Sequence, residues 1–159
     1  MDGEKRTLIA YMTAGGVTKE YAEIIAETLR EKYSHKVELV DIKQGKKPDP
    51  QKYDFFIVGS GVRAQRVYRR GLGYLKNDFG GKPVAVFLSS NEAGAEESYP
   101  DAVRKYMDPI REKHSNLNLV AVEGFGGRIR VLGKTASDLV DPEKVRRWAE
   151  ALGEKLQEP

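Results

Sequence analysis

The chain contains no cysteine. That excludes disulfides, thiolate nucleophiles, Cys-ligated iron–sulfur clusters and zinc sites of the Cys type. Its two histidines, His35 and His114, are far apart and have no companion at metal-ligand spacing. Each falls at a predicted helix end, where favourable charge at the C-terminus is explanation enough. No apolar run approaches the ~20 residues of a membrane-spanning helix. Met1–Arg6 includes acidic residues and leads straight into a strand, so it does not read as a signal peptide, and a cytoplasmic location is expected. No charge sign dominates. The formal net charge is +3, and acidic residues are interspersed through most segments, so there is no basic stripe of the kind nucleic acid needs. Glu96 and Glu97 are adjacent rather than paired across a face, and no nucleophile–base set stands out, which leaves a hydrolase unsupported.

What is present is an alternation of apolar strands and amphipathic helices along all 159 residues, suited to a single domain, 1–159, with one core. Strands are expected at 7–12, 36–42, 53–59, 83–89 and 117–123. The first helix is expected from Thr18 to Tyr33, with Ala22, Ile25, Ala26 and Leu29 as its buried stripe and Thr18 as its cap. A basic helix is expected at 65–79, although Gly71 and Gly73 each cost it roughly 1 kcal/mol. A further helix spans 100–114, carrying Val103, Met107 and Ile110 inward, with Pro109 bending or shortening it. The segment 124–139 reads as irregular, with room for a short helix or hairpin. Asp141-Pro142-Glu143 announces the last helix, with Asp141 as cap and Pro142 at the first helical position. Its stripe is Val145, Trp148, Ala149 and Leu152, which makes Trp148 a core residue.

Five strands with intervening helices imply a doubly wound parallel sheet, with ligands bound beyond the carboxyl ends of the strands. The loops there are 13–18, 60–65, 89–94 and 123–128. The first is the most informative. Leu8–Met12 runs into Thr13-Ala14-Gly15-Gly16-Val17-Thr18, and a helix follows at once. Two hydroxyls, amides freed by glycine and a helix N-terminus make an anion cradle. It lacks the lysine of a nucleotide-triphosphatase loop and the Gly-x-Gly-x-x-Gly of dinucleotide folds, so a monophosphate without a metal fits better. The plain alternative is a strand-to-helix turn with a threonine cap.

Thr13, Gly16 and Thr18 resemble the phosphate loop of flavodoxin-like domains, with Gly15 where the family commonly has a threonine. Tyr53–Arg63 resembles the third strand and second cofactor loop of the branch that includes menaquinone-dependent protoporphyrinogen oxidase, with Gly61 in place of its usual Pro or Ala. Gly81–Ser89 resembles that branch's fourth strand, and Phe125-Gly126-Gly127-Arg128 the segment after its fifth. The resemblance implies a five-stranded sheet in order 2-1-3-4-5 and a non-covalent FMN cofactor. Thr13, Ala14, Gly15, Gly16, Val17 and Thr18 would hold the phosphate. Ser60, Gly61, Val62 and Arg63, with Ser89, Ser90, Asn91 and Gly94, would flank the ring. Arg63 is placed to favour added negative charge on the ring, or else is a surface residue. Tyr99 and Phe125 are the candidate stacking aromatics, with ordinary packing as the rival reading. The resemblance also implies electron transfer or a small flavin oxidoreductase of quinone or porphyrinogen type. Its partner would be a redox protein or a quinone- or porphyrin-like small molecule.

Arg63, Arg66, Arg69, Arg70 and Lys76 form a basic cluster beyond the second loop, which Arg128 and Arg130 extend. The cluster suits an anionic substrate or an acidic redox partner, or it is simply a solvated face. A flavin-free binding module that uses region 63–76 to hold an acidic protein or nucleic acid is the second functional reading.

Overall fold

The continuous apolar strands do what such strands must: they form a sheet covered on both faces. A computed structural model describes residues 5–13, 15–63, 66–67 and 71–157. The strands are β1 (Arg6–Met12), β2 (Lys36–Asp41), β3 (Phe55–Arg63), the two-residue β4 (Arg66–Val67), β5 (Pro83–Ser89) and β6 (Asn118–Phe125). The main sheet runs β2-β1-β3-β5-β6, all parallel, which is the expected 2-1-3-4-5 order of the five long strands. A separate antiparallel ribbon, β7 (Arg128–Val131) and β8 (Lys134–Asp138), follows β6. The open segment 124–139 is therefore largely a hairpin.

Alternation along each strand divides the core in two. Ile9, Phe55, Ile57, Ala85 and Phe87 face one side, where helix α1 (Val17–Tyr33) and helix α4 (Pro142–Gln157) cover them. Ala22, Ile25, Ala26 and Leu29 of α1, with Val145, Ala149 and Leu152 of α4, supply the cover from the expected stripes. Each large aliphatic side chain buried this way contributes about 1.5–3 kcal/mol. Asp141 caps α4 by accepting from the Lys144 amide at 3.1 Å, and Pro142 is its first residue, both as expected.

Leu8, Phe56, Val58, Val84 and Val86 face the other side. Helix α2 (Tyr99–Ala102), a π-helical stretch at Val103–Met107 and helix α3 (Asp108–Lys113) cover part of it, with Ala102, Met107 and Ile110 buried. The expected disturbance at Pro109 takes this form. Proline brings no amide and crowds the carbonyl four residues back, and the wider turn ends just before it. The remaining cover differs from expectation. No helix spans 65–79 among the described residues. β4 and a short 3₁₀ turn at Gly73–Lys76 stand there instead. Gly71 and Gly73 dispose the chain against a helix, and Tyr74 and Phe79 wedge against Phe56, the Phe56–Phe79 ring centroids lying 4.6 Å apart.

The two histidines are not exposed cations at helix ends. His35 is buried, with Nδ1 2.8 Å from the Thr7 hydroxyl, and His114 is buried at the end of α3. Desolvation lowers the pKa of both, with nearby Lys5 and Lys113 adding to the effect. No helix among the described residues is long and apolar enough to cross a membrane.

Candidate functional site

The strand order reverses between β1 and β3, and the residues that end β1, β3 and β5 lie side by side there. Met12 pairs with Ser60, Ser60 with Leu88, and Gly61 with Ser89. The first three sequence-predicted loops thus meet at the crevice where doubly wound sheets bind ligands, and the fourth lies beside the third, with Phe125 opposite Ser89.

In the first loop, Gly16 takes φ +94°, a left-handed conformation that favours glycine, and serves as the N-cap of α1. Its amide donates to Thr13 Oγ1 at 2.8 Å. The Thr13 hydroxyl keeps its own proton to donate elsewhere. A Cβ built on Gly15 or Gly16 would meet nothing within 4 Å, so both positions face open space. The first-turn amides of Val17 and Thr18 have no acceptor within the helix. The acidic residue of this first turn, Glu20, is held by Arg128 at 3.0 Å. Ala14 lies outside the described residues.

Thr18 does not cap the helix. Its hydroxyl is buried and donates to Ser89 Oγ at 3.1 Å, tying α1 to the end of β5. The cap is taken by Gly16 because only that residue adopts the turn, and Thr18, one residue into α1, faces the sheet.

The second loop is not a free loop at its start. β3 continues through Arg63, because Ser60 and Gly61 still pair with β5, and it turns back into β4 with Val62 opposite Val67. Ser60 and Gly61 are buried and Val62 is half-buried. Gln65, Tyr68, Arg69 and Arg70 lie outside the described residues.

The third loop is fixed from behind. The Ser90 amide donates to the Phe125 carbonyl at 2.8 Å, and the Leu139 amide to the Gly127 carbonyl at 2.9 Å. Gly94 packs on backbone: a Cβ there would stand 2.7 Å from Gly126 Cα and 2.6 Å from Leu139 Cβ. The geometry makes Gly94 a packing glycine. Asn91 is half-buried, with Oδ1 3.5 Å from the Ser137 hydroxyl of β8.

The two aromatic candidates are placed differently. The Phe125 side chain is fully buried, edge-on to Tyr21 at 5.4 Å and to Trp148 at 5.5 Å, and offers no free face for stacking. Phe125 is the last residue of β6, and pleat alternation turns it under α1 and α4. Trp148 packs on Phe87 and Phe125, as its stripe suggested. Tyr99 sits over the β6 edge. Its hydroxyl donates to Glu123 Oε1, and Lys144 Nζ lies 4.4 Å from its ring centroid. Burial, then the hydrogen bond to Glu123, raises its pKa.

Several contacts around the site have no sequence signal. Tyr21 donates to the Gly126 carbonyl 105 residues away, and burial pushes its pKa up to about 12. Arg128, expected to extend the basic cluster, is committed elsewhere: it bridges Glu20 at 3.0 Å and Asp138 at 3.2 Å and is only 18% exposed. It clamps the β7–β8 ribbon to the first turn of α1. Tyr21 could be read as a core residue from its spacing to Ile25, but not its partner.

A doubly wound parallel sheet in this order, with a glycine turn leading from β1 into α1 at its switch point, defines the class of fold. The family is more specific: residues 8–133 match the Flavodoxin domain family, and the chain belongs to it. No curated protein matches the sequence. Among solved structures, flavodoxin 2 of Bacillus cereus is 26% identical, with a TM-score of 0.60 over 94% of this chain and 99% of that one. The Streptococcus pneumoniae flavodoxin is 18% identical, with a TM-score of 0.65 over 94% and 99% of the two chains. The Fusobacterium nucleatum flavodoxin bound to flavin mononucleotide is 18% identical, with a TM-score of 0.59 over 95% and 98%.

Proposed function

We propose that this chain binds FMN non-covalently and transfers electrons. The observation that carries the reading is the Thr13–Thr18 cradle, open at Gly15 and Gly16 and set at the reversal of strand order. The match to the Flavodoxin domain family supports it, as does the FMN-bound relative. The amides of residues 15–18 and the Thr13 hydroxyl would hold the phosphate. Thr18 would act at one remove, through Ser89. The β3 end from Ser60 to Arg63 and the Ser89–Asn91 backbone would border the ring, with Arg63 favouring added negative charge. Bound flavin supplies the redox chemistry, while the chain positions it and sets its polarity.

On the finer point, the acceptor is read as a quinone- or porphyrin-like molecule or a redox protein. The likeness of segments 53–63, 81–89 and 125–128 to the protoporphyrinogen oxidase branch supports this. The test is the visible spectrum of the purified protein, with identification of any released cofactor. A flavin spectrum and released FMN are expected. Colourless protein that also fails to take up added FMN refutes the reading.

A further inference from the structure

The β7–β8 ribbon stands out for its surface. Among the described residues, the exposed large aliphatic side chains are Ile129 at 43%, Val131 at 55% and Leu132 at 98%, and all three lie on this hairpin. Leu132 and Gly133 form its two-residue turn with φ of 51° and 78°. That turn favours Asn-Gly, and a leucine there is both strained and bare of contacts. The ribbon's packing explains neither feature.

The rest of the hairpin says which way the apolar tip points. β7 alternates without a bulge, because the extra residue of the pair, Ala136, is on β8. Arg128 and Arg130 therefore share one face, and Ile129 and Val131 the other. Arg128 is tied to Glu20 at the body of the protein, so the Ile129–Val131 face is turned outward. Arg130 and Lys134 are exposed and have no carboxylate within ion-pair distance among the described residues. Leucine thus leads at the tip. Lys134 is at the base of the turn, and Arg130 is about 7 Å back along the strand.

We infer that the β7–β8 hairpin docks on an anionic bilayer, with Leu132 and Val131 entering the acyl boundary and Arg130 and Lys134 meeting the headgroups. The order of chemistry along the hairpin matches the layering of the interface, in which an apolar face lies about 5–10 Å deep beneath charged headgroups. Three side chains at a convex tip fall far short of the ~800 Å² per partner of a stable protein interface. A second copy would bring Arg130 and Lys134 against their own kind. The inference does not depend on flavin.

The experiment is vesicle flotation of the full chain with phosphatidylcholine alone and with phosphatidylcholine containing phosphatidylglycerol. The wild type should partition at least about tenfold better into the anionic vesicles. Leu132→Asn should lower that partition about tenfold or more. Because asparagine tolerates the left-handed turn, the variant should melt no lower than wild type. Arg130→Glu with Lys134→Glu should lower it at least about fivefold per charge changed, and salt should do the same to the wild type. Absence of wild-type uptake, equal uptake by both vesicle types, or equal uptake by Leu132→Asn would each overturn the inference. So would a concentration-dependent dimer that Leu132→Asn abolishes, which would assign the tip to a second copy.

Discussion

Gly126 is where the architecture around the crevice is least forgiving. A Cβ at that position would stand 1.8 Å from the Leu139 carbonyl oxygen, 2.6 Å from its carbon and 3.0 Å from Gly94 Cα. All three are backbone or glycine atoms, so no side chain can rotate away, and Gly126→Ala must part the strands of chain by roughly 1.5 Å to reach ordinary contact. That movement breaks the Leu139 amide bond to Gly127, strains the Ser90 amide bond to Phe125 and disturbs the Tyr21 hydroxyl on the Gly126 carbonyl. Two hydrogen bonds at about 0.5–1.5 kcal/mol each, with one buried group left unpaired at about 1–3 kcal/mol, give a loss of about 2–6 kcal/mol. For a chain of this size that lowers the melting temperature by roughly 4–24 °C. Gly15→Ala is the matched control. Its added methyl meets open space at a φ that is not left-handed, so it should stabilise by about 0.4–1 kcal/mol through the unfolded state. Urea denaturation of the three proteins reads both values. If Gly126→Ala falls within about 0.5 kcal/mol of wild type, the backbone crossing of 94, 126 and 139 is not the constraint described.

Other perturbations reach different parts of the account. His35 and His114 have folded pKa values below the unfolded one, so the unfolded chain binds more protons at mildly acid pH. Stability is then full above about pH 6.5 and falls as pH drops below it, by up to ~1.4 kcal/mol per pH unit for each histidine. His35→Asn should flatten that fall just below about pH 6.5, and an unchanged slope refutes the assignment. Tyr21→Phe strands the Gly126 carbonyl and should cost about 1–3 kcal/mol, measured by denaturation; a neutral result would mean that water replaces the hydroxyl. Arg128→Ala should change global stability by less than about 1 kcal/mol, since its carboxylate partners are half-exposed. It should nevertheless speed tryptic cleavage at Arg130 and Lys134 severalfold by releasing the ribbon from α1, and unchanged cleavage would show that the clamp does not hold it.

The five strands were legible because they are apolar and amphipathic helices lie between them, while their order followed from the family resemblance. Leu8–Met12, Phe55–Ile57 and Val84–Leu88 could be nothing but buried strands. The 65–79 segment was misread because its cover depends on Tyr74 and Phe79 meeting Phe56, a contact between distant segments that outweighs local helical pattern. The crevice was legible as a set of strand ends, since Met12, Ser60 and Leu88 do meet there. Roles inside it were harder. Whether Thr18 caps the helix or binds Ser89 turns on Gly16 taking the left-handed turn, which shifts the helix start by one residue. Phe125 as a core residue follows from pleat alternation, but only once the exact end of β6 is known. Gly94 and Gly126 read as flexible positions in sequence, and their real constraint is a backbone crossing with Leu139.

The central claim is that the Thr13–Thr18 loop holds a flavin phosphate, and comparison of FMN with riboflavin tests it most directly. Flavin fluorescence quenching measures both affinities on cofactor-free protein, alongside Thr13→Ala and Thr18→Ala. With two or more charge-assisted hydrogen bonds to the phosphate, FMN should bind about 100-fold or more tightly than riboflavin. Thr13→Ala should remove about tenfold of the FMN affinity and leave riboflavin unchanged, while Thr18→Ala should weaken FMN less than Thr13→Ala does. Equal affinity for FMN and riboflavin, or no binding of either, would contradict the claim.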